Sequence, residues 1–178
     1  MIEVPNHNGV IYNFMPDPWL SEAEAVFKTF PATAARGGWC HGVDQKNLRG
    51  YAWFRHKFMN PLNEMFGHDV KLVFGMYLDI SQPFGIHSDI RPVEGRPYFS
   101  CLIPCSVDND PLKVTQATTE IYDGLDDGTG VVPENLQLRR SCPWRRGDLI
   151  WWDTHLFHSS GQFEDFASKQ AIVIHTYV

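Results

Sequence analysis

From Lys71 onward the sequence is a series of short apolar runs separated by glycine, proline, aspartate and asparagine. Runs of this length between turn-forming residues are typical of β-strands. They cover residues 71–80, 83–89, 97–107, 113–122, 148–153, 155–160 and 169–178. Because they follow two helical patterns, they predict a mainly β fold in which two sheets form a β-sandwich or jelly roll and the helices support one sheet.

Two helices are predicted in the N-terminal part of the chain. Ser21 and Glu24 have the spacing of a capping box, and the apolar stripe of this first helix consists of Leu20, Ala25, Val26 and Phe30. The second helix is predicted at 51–67, where apolar residues recur every three to four positions, with Pro61 as a kink or break. Ahead of both helices, residues 9–14 are predicted to form a strand or an extended arm.

Two segments lack a clear helix or strand pattern. Residues 31–50 are rich in glycine, alanine and polar side chains and predict a loop, either a lid over a site or a surface loop anchored by Trp39. Residues 123–147 interrupt the series of strands. The arginines of this second segment either capture an anionic group at a cavity mouth or form a solvated face; they are Arg139, Arg140, Arg145 and Arg146.

Length and composition narrow the class of protein. With 178 residues the chain is predicted to be a single domain, with helical support from residues 1–70 and a β core at 71–178. Four cysteines without paired C-x-x-C spacing predict reduced, structural thiols in a cytoplasmic protein. No membrane span or signal peptide is expected. Acidic residues outnumber basic ones, 21 to 15, which argues against a nucleic-acid partner.

A metal site is predicted at His87 and Asp89. These residues are two positions apart, so in an extended segment their side chains project to the same side. A second histidine from a distant strand would complete a set of two imidazoles and one carboxylate, the facial triad that holds non-heme Fe(II) and leaves coordination positions open. The residues alone leave three candidates for this ligand, namely His155, His158 and His175.

The order and spacing of the polar residues from Tyr77 onward resemble the 2-oxoglutarate- and Fe(II)-dependent oxygenases, and most closely their prolyl-4-hydroxylase-like branch. The resemblance covers roughly residues 71–178 and depends on Tyr77, His87-x-Asp89, Arg96, Gly147-Asp148, His158 and Lys169. It implies a double-stranded β-helix of the jelly-roll or cupin-like type. It also implies an enzyme that uses Fe(II), 2-oxoglutarate and O2.

The resemblance implies a role for each matched residue. Three of them correspond to the metal ligands of the family, namely His87, Asp89 and His158. Lys169 corresponds to the basic residue that binds the distal carboxylate of 2-oxoglutarate, although many members have an arginine followed by a serine two positions later. Tyr77 corresponds to a tyrosine that lines the cosubstrate pocket. Tyr98 is a further cosubstrate candidate, on a strand face that alternation alone does not assign to the cavity.

The activity that this resemblance implies is hydroxylation of a C–H bond in an amino-acid residue, a free amino acid or a small metabolite, with succinate and CO2 as coproducts. Asp89 argues against halogenation, because halogenating relatives replace this carboxylate with a small residue. Aromatic residues near the predicted ligands are expected to form the cavity wall; they are Phe84, Trp151, Trp152 and Phe157. Neither the substrate nor the oligomeric state is indicated by any motif.

Two other kinds of function are also compatible with these residues. A cupin-like metalloenzyme that does not use 2-oxoglutarate would bind the metal and leave Lys169 without a role. A non-catalytic jelly-roll binding or structural module would bind no metal at all.

Overall fold

The computed structural model describes residues 7–67, 69–89, 98–161 and 167–177, and the side chain of Tyr98 and the whole of Arg96 lie outside this description. The strands are β1 (Asn8–Ile11), β2 (Ala32–Ala35), β3 (Gly38–Val43), β4 (Lys71–Ile80), β5 (Tyr98–Val107), β6 (Thr118–Leu125), β7 (Gln137–Pro143), β8 (Leu149–Asp153), β9 (Leu156–Ser160) and β10 (Lys169–Tyr177). The helices are α1 (Trp19–Phe27), α2 (Gln45–Leu48), a π-helix (Phe54–Met59) that continues into α3 (Asn60–Phe66), and a 3-10 helix (Pro111–Gln116).

The described strands form two antiparallel sheets. Seven of them pair in the order β1-β8-β5-β10-β4-β3-β2, and three pair in the order β7-β6-β9. β10 is hydrogen-bonded along its length to both β4 and β5, which explains why its sequence is a nearly continuous apolar run. The predicted mainly β, jelly-roll fold with N-terminal helices is confirmed.

The seven-stranded sheet has an apolar core on each of its faces. A strand places successive side chains on opposite faces, so β4 and β10 contribute to both cores. On one face, Tyr77 and Ile172 pack with Phe27 of α1 and with the other helices. On the other face, Leu78 and Val173 belong to the core between the two sheets. This second core surrounds a cavity and includes Val114 of the 3-10 helix, whereas the sheet separates the helices of the first face from that cavity.

The first predicted helix is present, but its predicted capping box is wrong. α1 begins at Trp19, two residues before Ser21, and has no side-chain cap. Ser21 and Glu24 instead accept hydrogen bonds from the guanidinium of Arg146, at 3.1 and 2.9 Å. A contact with a residue far away in the sequence thus replaces the local capping interaction. Ala25, predicted to be on the apolar stripe, is exposed, because the buried face of α1 is formed by Leu20, Ala23, Val26 and Phe27.

The predicted loop at residues 31–50 is wrong, since this segment forms the β2–β3 hairpin and α2. β3 pairs with β4 from Trp39 to Val43, so hydrogen bonding to an existing sheet decides the conformation of a segment with weak strand propensity. At the tip, Arg36 and Gly37 have φ values of +42° and +75°, as tight hairpin turns require. The segment extends the larger sheet.

Two strand assignments also differ from the sequence prediction. Residues 83–89 make one bridge, from His87 to His158, and no regular strand. Conversely, the segment 123–147 contains β7, which the sequence analysis missed. Most of the residues in β7 are exposed, so the strand lacks the apolar alternation by which strands are recognised. β7 lies at the edge of the three-stranded sheet.

The second predicted helix is continuous through Pro61. This proline is the second residue of α3 and follows directly on the π-helix, where the N–H of Asn60 bonds the Arg55 carbonyl in the wider i→i+5 pattern. Gly67, with φ +68°, ends the helix. None of the described helices has both the length and the apolar character that a membrane crossing requires. The four cysteines are unpaired, as predicted.

Candidate metal centre

The structure brings His87, Asp89 and His158 together. His87 and Asp89 follow β4, whereas His158 lies on β9. The Nε2 atom of His87 is 3.8 Å from Asp89 Oδ1, and the Nε2 atom of His158 is 3.3 Å from Asp89 Oδ2. One ligand atom from each residue lies within 4.8 Å of the others. Three donors this close together can share one metal ion.

Both imidazoles are oriented by the main chain. His87 Nδ1–H donates to the carbonyl of Gly85 at 2.7 Å, and His158 Nδ1–H donates to the carbonyl of Leu156 at 3.1 Å. A carbonyl oxygen can only accept, so each ring carries its proton on Nδ1 and has a lone pair on Nε2. This arrangement is the usual way in which a protein fixes the tautomer of a metal-binding histidine.

The protonation states of His158 and Asp89 also suit a cation. Burial lowers the pKa of His158 to about 4, so its imidazole is neutral near pH 7. Burial alone would raise the pKa of Asp89, but the charges of His158 and His175 and a hydrogen bond from Ser100 outweigh it and lower the pKa. Two neutral imidazoles and one carboxylate are the donors expected of a 2-His-1-carboxylate site.

Ser100 connects Asp89 to His175. The Ser100 hydroxyl donates to Asp89 Oδ2 at 2.7 Å and accepts from His175 Nδ1 at 2.8 Å. His175, one of the three candidates for the second histidine ligand, is thus linked to the carboxylate through Ser100 and does not belong to the group of three. The role of Ser100 was missed, although alternation along β5 does place Ser100 and Leu102 on one face.

A cavity of about 160 Å³ opens beside the three residues, between the two sheets. Its wall is mostly apolar and includes Leu78, Leu102, Trp144, Trp152 and Val173. Lys169, the first residue of β10, also lines the cavity and is only 4% exposed. Its Nζ lies 4.9 Å from the centre of the Trp144 ring. Burial lowers the pKa of Lys169 to about 7.

Tyr77 does not line the cavity, and its position contradicts the predicted contact with a cosubstrate. It lies on the helix-facing side of β4, where Lys28 Nζ is 4.9 Å from the centre of its ring. The neighbouring Leu78 lines the cavity instead. Since successive strand residues face opposite ways, the two cannot both point inward. The second cosubstrate candidate, Tyr98, has its side chain outside the described residues.

Other predicted residues divide between the cavity and its surroundings. Phe84 and Trp152 form part of the wall, as predicted, whereas Trp151 packs in the helix-side core. Phe157 is buried but does not line the cavity. Trp144 was missed, because nothing in its sequence surroundings distinguishes it from a structural tryptophan.

His155 lies outside the group of three. It is in the turn between β8 and β9, and its Nδ1 contacts Asp153 Oδ1 at 2.9 Å. Its side chain is 45% exposed.

The arginines of residues 123–147 do not line the cavity. Arg139 pairs with Asp123 at 3.6 Å, and the guanidinium of Arg145 lies 5.5 Å from the centre of the Tyr12 ring. Arg146 donates hydrogen bonds to Ser21 and Glu24 of α1. These contacts support the structural interpretation of the arginines over capture of an anionic group.

No protein-family model matches the sequence, and no curated protein matches it. Solved structures do match. An oxidoreductase of the 2OG-Fe(II) oxygenase family from Burkholderia pseudomallei matches with a TM-score of 0.62 and 13% identity, over 96% of this chain and 84% of its own. A Pseudomonas putida prolyl-4-hydroxylase matches with a TM-score of 0.57 and 10% identity, over 97% and 92%. The epimerase SnoN, solved with Fe3+, alpha ketoglutarate and nogalamycin RO, matches with a TM-score of 0.60 and 12% identity, over 96% and 78%.

The chain has the fold of the 2-oxoglutarate- and Fe(II)-dependent oxygenases. The fold implied by the motifs of residues 71–178 is confirmed by these matches. The oxygenase fold also extends over the N-terminal residues, where the sequence pattern gave no specific match, because the structural matches cover 96% or more of the chain.

Proposed function

We propose that this protein is an Fe(II)- and 2-oxoglutarate-dependent dioxygenase that hydroxylates a C–H bond of its substrate. The observation that carries the proposal is a single cavity lined by His87, Asp89, His158 and Lys169. Three donors for one metal ion and one buried cation are the groups that a chelating keto diacid needs in its pocket.

The donor set fits Fe(II). Two neutral imidazoles and a carboxylate are suited to a divalent non-heme iron and occupy three of its coordination positions, which leaves room for a bidentate ligand and for O2. The Nδ1 protons are already committed to the carbonyls of Gly85 and Leu156, so both Nε2 lone pairs are available. His87, Asp89 and His158 are therefore the residues that would hold the metal.

Lys169 supports a keto acid as the cosubstrate. Lys169 lines the same cavity as the three donors and is only 4% exposed, so bulk water screens its ammonium group little and a carboxylate in the cavity would be attracted to it. A diacid that chelates the metal at one end presents its second carboxylate within the same cavity. This favours the oxygenase over a cupin-like enzyme that uses no keto acid, because such an enzyme has no use for a buried ammonium group at this place.

With both groups bound, the iron and 2-oxoglutarate would supply activation of O2 coupled to oxidative decarboxylation of the keto acid to succinate and CO2. The contribution of the chain is orientation and exclusion of water. His87 and His158 hold their lone pairs in fixed directions, and Lys169 provides the counter-charge for the distal carboxylate. The apolar wall, with Trp152 against the His158 ring at 4.7 Å between centroids, keeps bulk water out.

The substrate we propose is an amino-acid residue of a protein or peptide, a free amino acid or a small metabolite. Structural matches include a prolyl-4-hydroxylase and SnoN with nogalamycin RO, one named for a prolyl group and the other bound to a natural product. Both kinds of molecule are consistent with a site that opens on one side of a small, largely apolar cavity.

The deciding experiment is an anaerobic titration of the protein with Fe(II), with and without 2-oxoglutarate. Chelation of ferrous iron by the keto acid is expected to give a visible metal-to-ligand charge-transfer band. The band should be absent in His158→Ala and weak in Lys169→Ala. His155→Ala is the matched control, since it removes a nearby imidazole that lies outside the group of three, and it should leave the band unchanged.

Two results would contradict the proposal in distinguishable ways. Fe(II) binding without a band would favour the metalloenzyme that does not use a keto acid. Failure of the wild-type protein to bind Fe(II) at all would favour the non-catalytic binding or structural module.

A further inference from the structure

Asp126 does not line the cavity, yet it holds the segment that supplies two of the three ligands. Its side chain is buried, with 5% of the residue exposed. Asp126 Oδ2 accepts a hydrogen bond of 2.5 Å from the hydroxyl of Ser88. Ser88 is the residue between His87 and Asp89. A carboxylate from another part of the chain therefore binds the residue that separates the two ligands.

Asp126 is itself firmly held. Its Oδ1 accepts from the backbone N–H groups of Gly128 and Gly130, at 2.9 and 3.0 Å, and its own backbone N–H donates to the carbonyl of His155 at 2.8 Å. Burial alone would raise the pKa of Asp126, but the hydrogen bonds from Ser88 and from these backbone groups lower it. The group is thus an ionised carboxylate near neutral pH, which makes it a strong acceptor for the Ser88 hydroxyl.

The other hydrogen bonds of the ligand segment join it to β9 and to the β8–β9 turn, and they include two between Phe84 and Ser160. Residues 83–89 form no regular strand. His87 exchanges backbone hydrogen bonds with His158, and the Asp89 N–H donates to the carbonyl of Thr154 at 3.0 Å. The backbone of Ser88 makes no hydrogen bond to β9 or to this turn among the described contacts. Its side-chain bond to Asp126 is therefore the contact that holds Ser88 in place.

Asp126 also joins this segment to the turn between β8 and β9. The Thr154 carbonyl accepts from Asp89, and the next carbonyl, that of His155, accepts from Asp126. The Asp89 backbone is therefore hydrogen-bonded directly to this turn, and the Ser88 side chain is connected to the same turn through Asp126. A shift of either contact would change the direction in which the Asp89 carboxylate points relative to His87.

We propose that Asp126 is a positioning residue of the metal centre, which acts through Ser88 to set the relative orientation of His87 and Asp89. This inference rests on the proposed function for the presence of a metal. It assigns no contact between Asp126 and the metal or the substrate. Replacing Asp126 is expected to change the geometry of the metal site and its affinity for Fe(II).

The first test is Fe(II) affinity, measured anaerobically on the full chain. Ser88→Ala and Asp126→Ala should each raise the Kd for Fe(II) by about 10- to 100-fold, the usual effect of losing a group that orients a metal ligand. The double variant should lose no more affinity than Asp126→Ala alone, since Asp126→Ala already removes the hydrogen bond that Ser88→Ala removes. Asp127→Ala is the matched control, because Asp127 is the adjacent carboxylate and, among the described residues, its side chain binds Thr129 in the loop.

The second test separates positioning from a general structural effect. The visible ligand-field bands of the Co(II)-loaded protein should shift in Ser88→Ala, which is the milder substitution, and Ser88→Thr should restore them because it keeps the hydroxyl. Wild-type Fe(II) affinity together with a wild-type Co(II) spectrum in Ser88→Ala would overturn the inference.

The third test does not need a metal. In the metal-free protein, the Asp89 amide should exchange its hydrogen faster in Asp126→Ala and in Ser88→Ala than in the wild type or in Asp127→Ala. Equal exchange in all four proteins would refute the positioning role. If the wild type binds no metal, the proposed function fails, and the exchange rates alone then decide the part played by Asp126.

Discussion

His87 and His158 exchange both of their backbone hydrogen bonds, with N to O distances of 2.9 and 2.8 Å. The two imidazoles are thereby placed beside each other by the main chain, with ring centroids 4.2 Å apart. Because the bridge uses only backbone atoms, replacing either side chain leaves it in place. Variants at these positions are therefore expected to fold, which makes loss of metal binding in them interpretable.

Replacing Lys169 with methionine is expected to have two opposite effects. The Kd for 2-oxoglutarate should rise by about 100-fold or more, because the charge opposite the distal carboxylate is lost. The metal-free protein should gain on the order of 1 to 3 kcal/mol in the free energy of unfolding, because burial disfavours the charged form of Lys169 and lowers its pKa to about 7. Isothermal titration and urea unfolding measure the two quantities. A variant that loses both affinity and stability would contradict the assignment of Lys169.

The affinity for 2-oxoglutarate should depend on pH through Lys169. Its pKa of about 7 in the free protein is below the usual 10.5, and pairing with a carboxylate raises it. The affinity is therefore at its full value below pH 7 and falls as pH rises, by about tenfold from pH 7.5 to 8.5. Lys169→Arg should abolish this dependence, since arginine stays charged. Equal slopes in the two proteins would exclude Lys169 as the titrating group.

Tyr77→Phe tests the correction made to the sequence interpretation. The Tyr77 hydroxyl is buried and has no hydrogen-bond partner among the described residues. Its removal should leave the Kd values for Fe(II) and 2-oxoglutarate within about twofold of the wild type and change stability by no more than about 1 kcal/mol. A large loss of affinity for 2-oxoglutarate would restore Tyr77 as a cosubstrate contact.

Arg146 is expected to matter for stability and not for the site. Its guanidinium donates to Glu24 at 2.9 Å, to Asp17 at 3.1 Å and to the Cys105 carbonyl at 2.8 Å, and so joins α1 to β5. Arg146→Met should lower the free energy of unfolding by about 2 kcal/mol, because a partly buried ion pair loses one partner. Arg145→Met, at an exposed neighbour, should cost less than about 0.5 kcal/mol. Fe(II) affinity should be unchanged in both.

The sequence predicted those features that depend on local pattern and missed those set by tertiary pairing. β4 was predicted at its observed bounds, and the spacing of His87 and Asp89 predicted that their side chains lie close together, since both features follow from short-range geometry. The face on which Tyr77 lies depends on which side of the sheet receives the helices, which alternation cannot reveal. The β2–β3 hairpin exists because β4 offers an edge for pairing, and its composition gives no indication of that partner.

Backbone carbonyls, and not acidic side chains, orient both histidine rings. Among these three residues the negative charge is therefore that of Asp89. On the proposed function, ferrous iron with this carboxylate and the Lys169 ammonium with a dianionic keto acid bring the loaded cavity to electroneutrality. An electroneutral interior in an apolar wall exerts little long-range pull on a charged molecule. Residues on the surface around the cavity would then be the ones that distinguish substrates by charge.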